Sequence, residues 1–414
     1  MVKKIFVFIL TIILFHVDVS AKNKIRNHFF KQRSFEKYLY TTMPEFKALL
    51  DSPTVYRTQI YFSKIKRSRN RKVHFNNYEF KKHNLYYYPA SCVKLPVIVG
   101  ALKKLKDFKL SISNKLFIED SNYCGFKNQT EIQNGWVIQD YMKRMLVVSN
   151  NICFNPIFEL GYNYCAKGSF SNRIHQRFNF NCDSSTLSKK FPFSILDSNQ
   201  KIILFSPQQR FHVLLNLKSN WATAGLRYLD AKDSLINHPK SFAKSNYISL
   251  QNLHNLNKEI VSNSINIRTE DRNFLLKYMS IYPSECRHPA YDAKEYPDNW
   301  GKYLLIGDDT NFHAPSLKER AGVRSDSIRI FNKVGMAYGF LTDCAYIVDY
   351  KNQVEFIVSA SVFVDRDGTL NDGKYAYKEI GLPFLGKLGR VLMQHELHHK
   401  RKSKFAAPKI EYID

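Results

Sequence analysis

The order of strand-like and helix-like segments along the chain is the feature that most constrains its fold. Strand-like segments, marked by apolar alternation and β-branched or aromatic residues, lie at both ends of the chain. They cover 55–62, 73–80, 327–332, 344–349 and 353–364. The stretch from about 91 to 280 is mostly helical in pattern, and an amphipathic helix is predicted at 380–398.

Strands from the two ends can form one antiparallel sheet only if the middle of the chain is an insertion. We therefore predict an α/β (α+β) fold with a five-stranded antiparallel sheet flanked by helices and an all-helical inserted subdomain. The α/β subdomain would span about 22–90 and 315–414, and the helical subdomain about 91–314, within one unit of 22–414. A cleft between the two subdomains is the expected place for a site.

The N-terminus bears the marks of an export signal. Lys3 and Lys4 precede an apolar run at 5–15, and small residues at 19–21 resemble a cleavage site. The run is too short to span a membrane, which takes roughly 20 residues. We predict a signal peptide at 1–21, an exported protein that is periplasmic or secreted, and no membrane span after the signal is removed.

Charge and composition narrow the partners. The 414 residues include 62 Lys and Arg against 36 Asp and Glu, a net charge of +26, and 44% are hydrophobic. So much apolar material excludes a disordered chain. The charge alone would favour nucleic acid, but an exported protein rarely meets chromosomal DNA, so we predict no nucleic-acid partner and an anionic wall or membrane polymer instead. Oligomeric state is not predicted.

Three short motifs could carry chemistry. Ser91 and Lys94 lie three residues apart at the start of a helix, 91–106, that is apolar nearly all round and therefore buried. A serine nucleophile needs a base, and a lysine serves when burial lowers its pKa. The other two motifs are Ser149-Asn150-Asn151, after a helix-like segment at 136–148, and Lys333-Val334-Gly335 on a strand.

Together these motifs resemble, in type and order, those of the penicillin-recognising serine hydrolases, in particular the family of class A β-lactamases and penicillin-binding proteins. The segments at 86–105, 147–161 and 328–349 look like the cores of that family. The resemblance implies that Ser91 is acylated, that Lys94 accepts its proton and that Ser149 passes a proton to the leaving nitrogen.

The resemblance also implies the groups that bind substrate. Asn151 would bind the acyl-side amide, and Lys333 would attract a substrate carboxylate. Gly335 would leave the strand edge open, and the backbone N–H groups of Ser91 and Met336 would form the oxyanion hole. No cofactor and no metal are implied, and the substrate would be a small molecule or a peptidoglycan-like peptide.

Two departures from the family pattern bear on the reaction. Val334 stands where the family has Thr or Ser, so a hydroxyl for the substrate carboxylate is missing. No Glu lies between Glu159 and Glu259 to activate a deacylating water. We predict an exported serine hydrolase acting through a Ser91 acyl-enzyme on a β-lactam or related amide or ester. A D,D-peptidase-like wall enzyme, or a catalytically weak envelope-binding protein, is the alternative.

Two other motifs have simpler interpretations. The segment from Asp365 to 370 resembles a phosphatase nucleophile motif, but the 49 residues after Asp365 cannot hold the doubly wound domain that motif needs. His395-Glu396-Leu397-His398-His399 matches a zinc-binding pattern, with only Glu411 and Asp414 downstream as further ligands. A strand-ending turn and a solvated helix end are favoured. The odd number of cysteines, seven, leaves disulfide pairing undetermined.

Overall fold

A computed structural model describes most of the chain. The described residues are 34–68, 72–80, 85–118, 136–154, 156–158, 160–161, 193–196, 202–205, 221–243, 245–312, 328–398 and 405–410. The predicted signal peptide at 1–21 lies outside them. No helix among the described residues has both the length and the apolar character needed to cross a bilayer.

The described chain contains both helices and strands, and residues 34–42 are helical ahead of the first labelled element. The elements up to residue 241 are α1 (Lys47–Asp51), β1 (Gln59–Arg67), β2 (Val73–Phe80), α2 (Lys94–Asp107), β3 (Lys115–Ile118), β4 (Trp136–Val137), α3 (Ile138–Val147), β5 (Phe193–Leu196), β6 (Ile202–Phe205), β7 (Thr223–Ala224), β8 (Arg227–Leu229), β9 (Leu235–Ile236) and β10 (Lys240–Ser241).

The later elements complete the fold. They are α4 (Leu250–Ser262), α5 (Thr269–Ser280), α6 (Tyr303–Ile306), β11 (Ile328–Ala337), β12 (Phe340–Asp349), β13 (Val354–Phe363), β14 (Thr369–Leu370) and α7 (Leu382–His398). Short 3₁₀ turns occur at Pro44–Phe46, Ala90–Val93 and Pro283–Glu285, and a π turn at Tyr377–Gly381 precedes α7.

The main sheet joins the two ends of the chain. Its strand order is β11-β12-β13-β1-β2, and the four pairings are antiparallel. The predicted five-stranded antiparallel sheet and the α/β fold class are thereby confirmed. Strand β11 is at one edge of this sheet, so one side of its backbone is open to other groups.

Both faces of the sheet are covered, which explains why β12 and β13 are apolar along nearly their whole length. Side chains alternate between the faces. One face packs against α2, α3, α4 and α5, and the other against residues 34–42, α6 and α7. Lys333 and its partner Cys344 point to the first face.

The inserted region departs from the prediction in one respect. Segment 91–314 is not all-helical, because strands β3 to β10 lie within it, in a four-stranded sheet of order β4-β3-β5-β6 and in smaller pairings. These strands are only two to four residues long. Such short segments show too little alternation for a sequence pattern to detect.

Candidate active site

Ser91 lies in the turn that leads into α2, at the open edge of β11. The turn Ala90–Val93 is 3₁₀ in form, and Cys92 N–H donates to Pro89 O at 2.9 Å. Ala90 has φ of +44°, a left-handed conformation that L-residues rarely adopt. Strained residues of this kind persist where the surroundings hold them. Ser91 is half-buried, and helix α2 behind it is buried from Lys94 to Leu105.

The side-chain amino group of Lys94 lies at the centre of the candidate site. Its Nζ is 3.0 Å from Ser91 Oγ, 3.2 Å from Ser149 Oγ and 2.6 Å from Asn151 Oδ1, and it also contacts Ser149 O. Burial lowers the pKa of Lys94 well below its usual value, and the charge of Lys333 lowers it further. The sequence-predicted pair Ser91 and Lys94 is therefore in hydrogen-bonding contact.

Ser149 and Asn151 reach this group from a turn after α3. Ser149 has φ of +61°, which reverses the chain direction directly after the helix. Asn150 closes the turn, since its N–H donates to Arg144 O at 3.0 Å and its Oδ1 accepts from Cys153 N–H at 3.0 Å. The turn thereby directs the side chains of residues 149 and 151 toward Lys94.

Lys333 approaches Ser149 from the sheet. It projects from edge strand β11, and its Nζ is 2.9 Å from Ser149 Oγ and 3.2 Å from Val334 O. Burial lowers the pKa of Lys333 to about 8. The hydroxyl of Ser149 therefore connects two buried amino groups, those of Lys94 and Lys333, although Ser149 and Lys333 are 184 residues apart in sequence.

Gly335 permits the close approach of β11 to the Ser91 turn. A Cβ atom at this position would lie 2.2 Å from Pro89 O and 3.1 Å from Cys92 Sγ. Every residue other than glycine would therefore force the two segments apart. Met336, the next residue, is exposed on the strand, beside the space in front of Ser91.

A second buried polar group lies behind β11, on the opposite face from Lys333. Lys302 Nζ donates to Asn332 Oδ1 at 2.9 Å and to Ile330 O at 2.8 Å, and Asn332 Nδ2 donates to Asp343 Oδ1 at 2.8 Å. Burial lowers the pKa of Lys302 and raises that of Asp343. Sequence reasoning missed this group, although Asn332 and Asp343 stand out as polar residues in apolar strands.

Val334 shares that second face. Its side chain is buried, it pairs in register with Asp343, and one of its methyl groups is 3.7 Å from where a Cβ on Gly301 would be. The predicted loss of a hydroxyl at position 334 thus coincides with a buried apolar side chain in the structure. The carboxylates considered for deacylation, Glu159, Asp183 and Asp197, lie outside the described residues.

The alternative motifs have structural partners. Asp365 follows β13 and forms a bridge with Tyr375, in a turn rather than at the start of a further domain. Glu396 makes an ion pair with Lys64 at 3.1 Å and a contact with His395 Nδ1 at 3.2 Å. His399, Glu411 and Asp414 are outside the described residues, and no group of three metal-ligating side chains occurs among those described.

The cysteines among the described residues are packed in the interior. Cys92, Cys153, Cys286 and Cys344 are buried thiols, and burial raises the pKa of Cys92, Cys153 and Cys344. A thiol with a raised pKa is a poor nucleophile at neutral pH. Cys92 Sγ faces Lys333 O at 3.5 Å, away from the group around Lys94. Cys124, Cys165 and Cys182 lie outside the described residues.

Comparison with known proteins gives a likeness of fold alone. No family model and no curated protein matches the chain. Among solved structures, a β-lactamase from Chitinophaga pinensis is 12% identical with a TM-score of 0.44, covering 86% of this chain and 99% of that one. A β-lactamase from Streptosporangium roseum is 10% identical, with a TM-score of 0.45 and coverage of 86% and 99%.

A structure of PBP-A is also similar, at 12% identity and a TM-score of 0.44, covering 86% of this chain and 97% of that one. These structures carry the names of the class that the sequence motifs resemble. At these identities and TM-scores no argument about this chain rests on them, and what it does has to be argued from its own residues.

Proposed function

We propose that the chain is an active-site-serine hydrolase that forms an acyl-enzyme through Ser91. The observation that carries the proposal is the set of contacts around Lys94 Nζ, which lies 3.0 Å from Ser91 Oγ in a buried setting. A nucleophilic serine requires a base within hydrogen-bonding reach, and a lysine with a lowered pKa meets that requirement.

The contacts around Lys94 can also be satisfied by a neutral amine. Two of its neighbours, Ser149 O and Asn151 Oδ1, only accept hydrogen bonds. A neutral amine has two N–H bonds for these two oxygens and keeps one lone pair. That lone pair would accept the O–H proton of Ser91. The lowered pKa of Lys94 favours this state at neutral pH.

The reaction follows from this arrangement. Ser91 Oγ attacks the carbonyl carbon of the substrate as the hydroxyl proton passes to Lys94. The developing oxyanion accepts hydrogen bonds from the backbone N–H groups of Ser91 and Met336. The proton then reaches the leaving nitrogen or oxygen through Ser149, whose Oγ is 3.2 Å from Lys94 Nζ. Collapse of the intermediate breaks the amide or ester bond and leaves an ester on Ser91, which water hydrolyses.

Lys333 supplies positive potential on the leaving-group side. Its Nζ contacts Ser149 Oγ at 2.9 Å, so it supports that hydroxyl as a proton relay and attracts a substrate carboxylate. The substrate would be a β-lactam or a related amide or ester, and the protein would be exported to the periplasm or the medium. A D,D-peptidase-like wall enzyme is the second candidate, favoured by the absence of a Glu between Glu159 and Glu259 and by the net charge of +26.

Intact-mass measurement tests the proposal. The protein is incubated with a penicillin, a D-Ala-D-Ala peptide ester or an activated aryl ester, and the mass is followed over time. We expect an added acyl group on the wild type and on Ser113→Ala, an exposed serine that serves as control, and none on Ser91→Ala. An adduct that disappears with release of hydrolysed antibiotic indicates a β-lactamase, whereas a peptide adduct indicates a D,D-peptidase.

Absence of an adduct with all three probes would refute the enzyme proposal. The chain would then act as an envelope-binding protein built on this fold. Equal labelling of the wild type and Ser91→Ala would refute the assignment of the nucleophile.

A further inference from the structure

A lysine held between two aromatic rings lies beside the candidate site. Lys240 Nζ is 4.6 Å from the centre of the Tyr228 ring and 5.4 Å from that of Tyr338. The side chain is half-buried, and burial lowers its pKa. Within the part of the chain that the structure describes, no carboxylate pairs with it. It is therefore a partly desolvated cation whose contacts are aromatic.

The same rings connect Lys240 to both segments that form the oxyanion hole. Tyr338 is two residues beyond Met336, and Tyr88 is three residues before Ser91. The rings of Tyr88 and Tyr338 are 5.4 Å apart in an edge-on contact. Phe242 packs on both, with ring centres 5.2 Å from Tyr88 and 5.4 Å from Tyr338. The rings of Tyr88 and Tyr338 are partly exposed, and buried Phe242 supports both from beneath.

Tyr338 is held in place against a conformational cost. It has φ of +52° and precedes Gly339, with φ of +76°, in the two-residue hairpin between β11 and β12. Such hairpins favour Asn or Gly at the first position, and another residue costs on the order of 1 kcal/mol there. Gly339 N–H donates to Tyr377 Oη at 2.8 Å, which fixes the turn. A bulky ring at this strained position suggests that it serves a contact.

Direction along β11 indicates which part of a substrate would meet these residues. Lys333 faces the leaving-group side, and the scissile carbonyl would lie at Met336. Tyr338, in the hairpin turn that follows β11, is on the far side of that carbonyl, two residues beyond Met336. A group bound at Tyr338 therefore belongs to the acyl portion of the substrate.

We propose that Lys240, with the partly exposed rings of Tyr88 and Tyr338, is a specificity subsite for acyl donors whose side chain ends in a carboxylate. The hydrocarbon part of that chain packs on the rings, and the carboxylate pairs with Lys240. This subsite rests on the proposed acylation of Ser91. It places a second anion-binding group at the opposite end of the cleft from Lys333, in a site where Val334 offers no hydroxyl to a leaving-group carboxylate.

A matched pair of esters tests the subsite. One is the monoaryl ester of pimelic acid, and the other is the same aryl ester of its monoamide, so the acyl chains differ only in terminal charge. The second-order rate constant of acylation is measured from release of the phenol. We expect the wild type to prefer the carboxylate chain by roughly three- to tenfold at low salt. The preference should shrink as ionic strength rises.

The variants separate this charge from the general basicity of the chain. Lys240→Gln is expected to react equally with the two esters, and Lys240→Arg to keep the preference. Lys232→Gln removes an exposed lysine from the same region and should leave the preference unchanged. Equal rates for the two esters in the wild type, or a preference that survives in Lys240→Gln, would overturn the subsite while acylation continues.

Failure of the underlying function gives a different result. If phenol release from both esters is the same in Ser91→Ala as in the wild type, the acylation proposal is wrong and the subsite proposal falls with it. Loss of reaction with both esters in Lys240→Gln alone, with thermal unfolding unchanged, would also overturn the subsite, because a specificity residue affects one ester more than the other.

Discussion

The contact between Gly335 and the Ser91 turn allows one substitution to be worked through in detail. In Gly335→Ala the new Cβ would lie 2.2 Å from Pro89 O, whereas ordinary van der Waals contact begins at 3.4 Å. The strand and the turn must therefore separate by the difference, about 1.2 Å. The atom that must move is the backbone carbonyl oxygen of Pro89, two residues before Ser91. We therefore expect the nucleophile to move with it.

This displacement has two measurable consequences. A shift of about 1 Å in a catalytic group can cost on the order of 10²-fold in rate, so acylation of Ser91 should fall by roughly that factor. Overpacking at a buried contact costs about 1–3 kcal/mol of unfolding free energy. Acylation is followed with an activated ester, and stability by urea denaturation monitored through circular dichroism.

Gly373→Ala is the matched control. Gly373 has φ of +76° and nothing lies within 4 Å of its added Cβ, so the cost there is backbone strain of about 1 kcal/mol without movement of Ser91. We expect its acylation rate to equal that of the wild type. If Gly335→Ala acylates as fast as Gly373→Ala and is equally stable, the described contact between β11 and the Ser91 turn is wrong.

Three further predictions concern the polar groups on the two faces of β11. Ser149→Ala removes the hydroxyl that joins Lys94 to Lys333. Stopped-flow measurement should show acylation slower by about 10²- to 10⁴-fold, with thermal unfolding little changed. A loss under threefold would contradict the role of Ser149 as a proton relay. For substrates with a leaving-group carboxylate, the rate of acylation should decline above about pH 8, where Lys333 loses its proton. If the acylation rate of Lys333→Met declines with pH in the same way, Lys333 is not the cause. Burial raises the pKa of Asp343 to about 7, from about 3.9 in the unfolded chain. Between these pH values the folded state holds a proton that the unfolded state releases, so the folded state loses stability as pH rises. Urea denaturation should therefore show the stability of the wild type falling relative to that of Asp343→Asn from about pH 4 to pH 7. A difference between these two proteins that is constant over that range would show that the carboxyl is not buried as described.

Much of the fold could be predicted because it follows from local patterns. Strand β2 has the predicted bounds, and β12 and β13 were found because strands buried on both faces are apolar along their length. The boundaries were less certain. Strand β11 continues to Ala337, five residues beyond the predicted end, since buried Asn332 and Lys333 interrupt its apolar pattern.

Some features of the candidate site follow from local sequence, and others follow only from the tertiary structure. The spacing of Ser91 and Lys94 is local, and a helix start brings residues three apart onto one face. Their approach to Ser149 and Lys333 depends on the sheet order and on the turn after α3, and the sequence indicated it only through the order of motifs that resemble a known family. That resemblance named Lys94, Ser149 and Lys333, which the structure brings within hydrogen-bonding distance.

The sequence by itself determined the strands of the main sheet and the residue types that the proposed chemistry requires, because periodicity and spacing act over a few residues. Only the tertiary structure decided which distant side chains share an environment. It placed Lys302 beside Asn332, and Lys240 between Tyr228 and Tyr338. Burial and neighbouring charge, which set the pKa of each lysine, arise when separate segments pack together, and no local pattern encodes them.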